Sequence, residues 1–494
     1  MSTELNSNTL KNLGAEIQTP RYDRSSLGQA IVHIGVGGFH RAHQTIYTED
    51  LFNINEAFEW GFCGIGLLPG DQKMRDVLQQ QDYLYTLVER SADEEKVRIV
   101  GAIVNFIYAP DAIELAIAKM ASPATKIVSL TITEGGYYMQ DGSGMFNADH
   151  PDIQHDLVNP DTPRSSFGFL LAALDRRRKA SIKPFTIMSC DNIQGNGSIT
   201  KKMLLAFAEL ANPELAGWIA DNASFPNSMV DRITPATTDE LRDRLHDRFG
   251  ILDRWPVTTE PFKQWVLEDK FTLGRPSWEL TGVKMTTDVL PYEKMKIRLL
   301  NASHQALCYI GILLGYEFVH ETMQDQDIRR LVQAMMDVEV TPILPKVPGV
   351  DLTSYKYQLL ERFANPAIQD QLARIAIYGS TGLPKFVLPT IEEQLERGGS
   401  YHRLAFTVAC WMRCLQGIDD RGRAITMMDP NAETLSAIAL ERAQQVDYFL
   451  SQCGLFPMQL ITSPEFVGLV QRYLTMLHEK GARATLVAAA LGNE

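Results

Sequence analysis

Lys296, Asn301 and His304 fall within nine residues, Lys296-Ile-Arg-Leu-Leu-Asn301-Ala-Ser-His304. An amine, an amide and an imidazole thus share a stretch whose apolar residues (Ile297, Leu299, Leu300, Leu307, Ile310) recur at helical spacing. Such apolar positions seek burial, so polar groups on the same turns are satisfied core residues or the lining of a site. A lysine taken out of water is costly as a cation, and desolvation moves its pKa from about 10.4 toward the range in which it accepts a proton. An amine so adjusted is a good general base. On a regular helix Asn301 and His304 are i, i+3 neighbours, with Lys296 about a turn and a half earlier. Glu293, one turn before Lys296, has two readings: relay of the proton to solvent, or a salt bridge along the helix face.

The elements that would position these groups follow from the apolar patterning. Ala30-Ile-Val-His-Ile-Gly-Val-Gly-Gly38 is a short apolar run ending in glycines, as in a buried parallel strand that meets a helix. Further strand-like runs are Trp60–Leu67, Tyr83–Glu89, Val97–Ile103, Ile127–Thr133 and Phe185–Cys190, with helical patterns such as Asp111–Met120 and Ser166–Arg178 between them. Strands alternating with helices predict a parallel sheet with crossover helices. Residues 1–29 are polar, without a clear period, and read as an arm. After residue 292 the pattern turns mostly helical, broken near Pro345–Pro348 and Gly379–Pro384. The expectation is an α/β chain: a Rossmann-type N-terminal domain over residues 1–286 and a mostly α-helical C-terminal domain over 287–494.

Gly35-Val36-Gly37-Gly38-Phe39-His40-Arg41 follows the first strand, where glycines permit a tight turn and close approach of backbone N–H groups to a pyrophosphate. His40 stands where the third glycine of the dinucleotide fingerprint would be, and Arg41 is a cation beside the turn. A carboxylate after the second strand would accept from the adenosine ribose hydroxyls. Asp71 has that position, though it also reads as the N-cap of a helix over Gln72–Gln79. Lys73 and Arg75 could instead meet a 2′-phosphate, so NADP stays open; NAD is favoured because Asp71 would repel that phosphate.

The bulk properties narrow the classes. At 494 residues, two or three domains are expected, and a formal net charge of -13 argues against nucleic-acid binding. The six cysteines are scattered without a Cys-x-x-Cys pair, which suits a reducing compartment. No signal-peptide pattern opens the chain, and no apolar run approaches the roughly 20 residues that span a bilayer. A cytoplasmic protein, with a monomer compatible with the surface charge, is the plain expectation.

Six motifs now stand together: Gly35–His43, Thr133-Glu-Gly-Gly136, Met188-Ser-Cys-Asp-Asn192, Phe225-Pro-Asn-Ser-Met-Val-Asp231-Arg232, Gln264-Trp-Val-Leu-Glu-Asp269 and Lys296–His304. In order and extent they resemble the polyol-specific long-chain dehydrogenases, most of all those that interconvert mannitol and fructose. The resemblance implies a nicotinamide cofactor, no catalytic metal, and an active site formed by a Rossmann-type and a helical domain. It implies Lys296 as catalytic base, Asn192 and Asn301 as amides on the reacting oxygen, and His304 as a positioning imidazole. Asp231 and Arg374 would contact the polyol chain. Gly382, in Gly379-Ser-Thr-Gly382-Leu-Pro-Lys385, stands where relatives carry a lysine, which bears on the identity of the sugar.

Without a metal, the negative charge developing on an alcohol oxygen needs hydrogen-bond donors, and two amides with a lysine form such a set. Each residue also has a plainer reading. Lys296 could lie on a solvated face, Asn192 could be a turn residue, and His304 could be a satisfied core histidine. Asp231 could pair with Arg232, and Arg374 could be an exposed charge. Two rivals remain open: reduction of a hexuronate such as fructuronate, which would want an extra cation (Arg374 or Lys385), or a nicotinamide-binding sensor without catalysis.

Overall fold

The computed structural model describes residues 3–140, 144–377 and 379–491. The chain divides into two compact units, Met1–Leu290 and Pro291–Glu494.

The first unit is organised by five parallel strands: β1 (Ile31–Ile34), β2 (Phe62–Gly66), β5 (Ile103–Tyr108), β6 (Ile127–Leu130) and β7 (Thr186–Ser189). They lie in the order β5-β2-β1-β6-β7, with Ile31 opposite both Phe62 and Ile127. Both faces are covered, and the period of two sorts each strand's side chains between them. Val32, Ile34, Ile65, Val128, Leu130 and Ile187 join one core, shared with α4 (Ile113–Ala121), α5 (Ser166–Lys179) and α6 (Asn196–Ala211). Ile31, Phe62, Ile103, Ile127 and Met188 join another, with Trp265, Trp278 and residues of α2 (Gln44–Asn53). This is the Rossmann-type arrangement the patterning predicts.

Two three-stranded sheets accompany it. A hairpin, β3 (Tyr85–Arg90) with β4 (Glu95–Val100), carries β9 (Val257–Thr259) on its outer side. β8 (Ser228–Asp231) pairs with β10 (Gln264–Glu268), which is joined by β11 (Lys284–Thr286). The single strand expected over Val97–Ile103 is therefore two strands in different sheets. The break falls at Gly101, whose N–H donates to Glu49 Oε2 at 2.9 Å and whose carbonyl accepts from Arg24 Nε at 3.1 Å. The polar arm is packed: Leu5 and Ile17 are buried with Val88, Val97, Leu241 and Leu245.

The second unit is helical, as expected, and among the described residues no strand follows Thr286. α7 (Leu290–Lys296) runs into a π-helical segment, Ile297–Asn301, and on into α8 (Ala302–Leu314). Two more π segments, Met335–Val340 and Leu383–Val387, pack against the first. Between them in sequence lies α9 (Leu372–Ala376), and after them come α10 (Leu388–Arg397), α11 (His402–Leu415) and α12 (Pro464–Leu491). α11 is apolar on nearly every side and is buried against α8 and α12.

The N-terminus of α11 is closed by a residue from the second π segment. Glu339, fully buried, accepts from the backbone N–H groups of Arg403 at 2.8 Å and Leu404 at 3.0 Å, and from Arg403 Nη1 at 3.2 Å. Burial pushes its carboxyl up to about 6, against the pull of those donors. Removing the carboxylate strands two N–H groups and a guanidinium in the interior. Glu339→Ala is expected to lose about 3–5 kcal/mol of stability in urea unfolding followed by circular dichroism.

Candidate active site

In the first unit the glycine turn leaves β1 and enters α1 (Gly38–Ala42). Gly35 has φ +93°, and a Cβ there would lie 2.1 Å from the Thr131 carbonyl oxygen, so only glycine fits. Gly37 and Gly38 differ: a Cβ at either would meet nothing nearer than 3.6 Å. Packing does not demand those two glycines, whereas a ligand lying against the backbone would. Val36 buries its side chain against β2, where Gly64 makes room for it.

His40 fills the third-glycine position by lying flat. Its ring stacks on His33 of β1 with centroids 3.4 Å apart and planes 8° apart, so close helix–strand packing is achieved without glycine. His33 Nδ1 meets Ser129 Oγ at 2.8 Å, and His40 Nδ1 meets Gln44 Oε1 at 3.0 Å. His43 follows, Phe39 stacking on it at 4.9 Å and the Gln264 carbonyl lying 2.8 Å from its Nε2.

Arg41, expected beside the cofactor, is buried in the interior instead. Its Nη1 donates to the Trp255 carbonyl at 2.5 Å, and its guanidinium lies 5.2 Å from the Tyr85 ring centroid. Burial moves its pKa down to about 10.

Asp71 stands three residues into α3 (Pro69–Gln80), which begins earlier than the expected Gln72. Asp71 is therefore no N-cap; its Oδ2 reaches back to the N–H groups of Leu67 and Leu68, both at 2.9 Å. Gly66 at the end of β2 permits this approach, since a Cβ there would lie 2.5 Å from the Asp71 Cβ. Arg75 is tied to Asp76 at 2.6 Å, and Lys73 lies 5.7 Å from the Trp255 ring centroid.

Asn192 is exposed just past β7, at the apex of a three-residue turn closed by the Ile193 N–H donating to the Asp191 carbonyl at 2.9 Å. Asp231, 5% exposed, ends β8 opposite Gln264. Its neighbour Arg232 directs its guanidinium to Glu89 and to the Ala42 and Glu260 carbonyls.

In the second unit Lys296 is 6% and Asn301 8% exposed, while His304 is half-buried with its ring 4.6 Å from that of Phe363. The π segment corrects the expected geometry. On an α-helix residues five apart point about 140° away from each other. Here the Ala302 N–H donates to the Ile297 carbonyl, i→i+5, and this register turns Lys296 and Asn301 toward one face. Asn301 Oδ1 is buried and has no hydrogen-bond partner among the described residues. Lys294 and Arg298 both bond Glu393, at 3.1 Å and 2.6 Å. Glu293 is buried.

Arg374, on α9, holds Asp370 through two bonds of 2.6 Å. Gly382 is buried, and a Cβ there would press on the Phe386 ring at 3.2 Å and on Gln305 Nε2 at 3.4 Å. Lys385 is exposed in the third π segment.

Sequence reasoning passed over Asp191, Tyr137 and Thr131, which shape the loops at the carboxyl ends of β6 and β7. Asp191 sits inside a quoted motif, but nothing in its spacing distinguished it from Asn192 beside it. Burial pushes the Asp191 carboxyl up while three donors pull it back; the Tyr137 hydroxyl is driven well above its usual range and keeps its proton.

Two family models match this chain: the mannitol dehydrogenase Rossmann domain over residues 29–280 and the mannitol dehydrogenase C-terminal domain over 288–478. The chain belongs to the mannitol dehydrogenase family. Among relatives, mannitol 2-dehydrogenase of Pyricularia oryzae is 46% identical over 495 residues, covering 98% of this chain and 99% of that protein. Mannitol dehydrogenase 2 of Saccharomyces cerevisiae is 46% identical, covering 98% and 97%. Among solved structures, the ternary complex of Pseudomonas fluorescens mannitol 2-dehydrogenase with NAD and D-mannitol aligns at TM-score 0.92 and 49% identity, covering 99% of this chain and 100% of that one. A substrate-free D-sorbitol dehydrogenase aligns at TM-score 0.90 and 36% identity, covering 98% and 100%.

The histidines at the mannitol dehydrogenase turn carry a pH signature. Burial holds His40 and His43 down at about 3, below the roughly 6.5 of an unfolded chain. Between those values the unfolded chain binds more protons, so the stability these neutral rings contribute is whole above pH 6.5 and lost as pH falls. Each should cost about 1 kcal/mol by pH 5.5. Urea unfolding at pH 7.5 and 5.5 should show a larger loss for the unaltered protein than for His40→Asn; equal losses would remove His40 from the account.

Proposed function

We propose that this chain is an NAD-dependent polyol dehydrogenase that reversibly oxidises D-mannitol to D-fructose without a catalytic metal. The relatives' names and the solved complex with NAD and D-mannitol support the substrate and the cofactor. The open space before Gly37 and Gly38 fits a dinucleotide lying against backbone N–H groups. Asp71 would meet the adenosine ribose with the oxygen its capping bonds leave over, and its charge favours NAD over a 2′-phosphorylated cofactor. Bound NAD supplies the hydride acceptor, and the protein supplies orientation and charge stabilisation.

The observation that carries the mechanism is the π register that turns buried Lys296 and Asn301 to one face. Taking a lysine out of water favours its neutral, proton-accepting form. Lys296 takes the hydroxyl proton as the carbon loses its hydride, and returns it in the reverse direction. Asn192 and Asn301 donate hydrogen bonds to the oxygen as charge develops on it. Asn301 Oδ1, lacking a partner among the described residues, suits a hydroxyl of the polyol. His304, braced by Phe363, positions the substrate, and Asp231 and Arg374 meet the rest of its chain. Glu293, one turn before Lys296, passes the proton on.

Lys296→Ala is expected to lower kcat about 10²–10⁴-fold in NADH-absorbance assays with mannitol or fructose, with NADH affinity kept. Turnover near the unaltered rate would remove Lys296 from the chemistry. Removing one donor amide, as in Asn301→Ala, should cost about 10²–10³-fold. Dialysis against EDTA should leave the unaltered enzyme's rate unchanged; a loss restored by a divalent metal would overturn the metal-free scheme.

A further inference from the structure

The two loops leaving β6 and β7 are tied together by one carboxylate. Asp191 Oδ1 accepts from the Thr133 N–H at 2.9 Å, and its Oδ2 accepts from the Ile132 N–H at 3.0 Å and the Tyr137 hydroxyl at 2.6 Å. The Tyr137 hydroxyl also meets Ser189 Oγ, the last residue of β7, at 2.6 Å. The Asp191 main chain is held as firmly. Its N–H donates to Ser189 Oγ at 3.3 Å, and its carbonyl accepts from the Ile193 N–H at 2.9 Å and Asn196 Nδ2 at 3.0 Å. Asn196, fully buried, in turn grips β8 through the Ser228 carbonyl at 2.8 Å and the Ser228 N–H at 2.9 Å.

Two exposed residues hang from this hub. Thr133 has φ +58° and ψ 174°, a conformation almost confined to glycine and costly for a β-branched residue. The bonds from its own N–H and that of Ile132 to Asp191 hold it there. Asn192 sits at the apex of the turn that Asp191 opens, with no residue between it and the anchored carbonyl. A packed hydrophobic residue in place of Asp191 would leave two N–H groups stranded and the Tyr137 hydroxyl with Ser189 alone, so the carboxylate is matched to this loop and not merely tolerated. The Thr133 conformation and the Asn192 turn are thus maintained by one group, and strained backbone held in this way collects at functional sites.

We propose that Asp191 is a positioning residue that sets the Asn192 amide, and the Thr133 backbone beside it, for the reaction, without touching substrate or cofactor itself. This inference rests on the role given above to Asn192. A displacement of about 1 Å in a group that meets the transition state costs on the order of 10²-fold in rate, so a loosened turn shows in kcat.

The test is a kinetic cycle of Asp191→Asn and Asn192→Ala on the full-length enzyme, with mannitol and NAD. Asp191→Asn keeps the shape but turns an N–H toward a donor, and it is expected to lower kcat about tenfold or more, with KM for NAD within about twofold. In the Asn192→Ala background the same change should alter kcat by less than about twofold, because the amide it positions is gone. Equal losses in both backgrounds, or an Asp191→Asn enzyme as fast as the unaltered one, overturn the proposal while the role of Asn192 stands. Full turnover by Asn192→Ala overturns that role, and this inference with it. Where Asp191→Asn does not fold, judged by circular dichroism, Tyr137→Phe replaces it in the same cycle. That variant removes one donor to the carboxylate and should cost about threefold in kcat only when Asn192 is present.

Discussion

Backbone that leaves the carboxyl end of a parallel strand loses its ladder partners at the place where ligands gather in such sheets, and each orphaned group must find another. In this chain side chains supply several of them. The Gly35 carbonyl after β1 accepts from Thr131 Oγ1 at 2.6 Å. The N–H groups of Leu67 and Leu68 after β2 go to Asp71, and those of Ile132 and Thr133 after β6 go to Asp191. The carbonyl after β7 goes to Asn196. The groups that satisfy the edge therefore also decide what it presents: a bare glycine turn, a carboxylate and an exposed amide. Satisfying the backbone and building the site are one task here.

The helical unit solves its positioning problem by a change of helix register. An α-helix advances about 100° per residue, so accommodating one extra residue rotates everything beyond it by that amount relative to what precedes it. The π segment at Ile297–Asn301 makes such an adjustment between the lysine and the amide. The other two π segments pack against it, one aiming Glu339 at the start of α11 and one leading into α10. Irregular hydrogen bonding is thus found around the residues proposed to do chemistry, while α11 supplies regular apolar support.

The parallel sheet, the glycine turn and the helical second unit were legible because each rests on local signals: β-branched runs, glycines and a 3.6-residue period. What was not legible depends on partners distant in the chain or on shifts that leave the pattern unchanged. The apolar run Val97–Ile103 reads as one strand, and only Arg24 and Glu49 divide it at Gly101. Arg41 looks like a cofactor ligand until the Trp255 carbonyl claims it. The π register is invisible because Ile297, Leu299 and Leu300 are apolar in either helix type. Asp191 and Asn192 are adjacent and chemically alike in sequence, and only the fold turns one inward and the other out.

Charge distribution bears on what kind of substrate suits such a set of residues. Several cations near the proposed residues already have carboxylate partners within their own unit: Lys294 and Arg298 on Glu393, and Arg374 on Asp370 through two nitrogens. A substrate carboxylate would share the Arg374 cation with Asp370, which already offsets its charge through two bonds, or exchange with it for little net gain. A neutral polyol asks for no such exchange. Its hydroxyls both donate and accept, and they match amides, an imidazole and backbone groups without disturbing the ion pairs around them. On this argument the bonded arginines would favour an uncharged sugar alcohol over an acid at the proposed site.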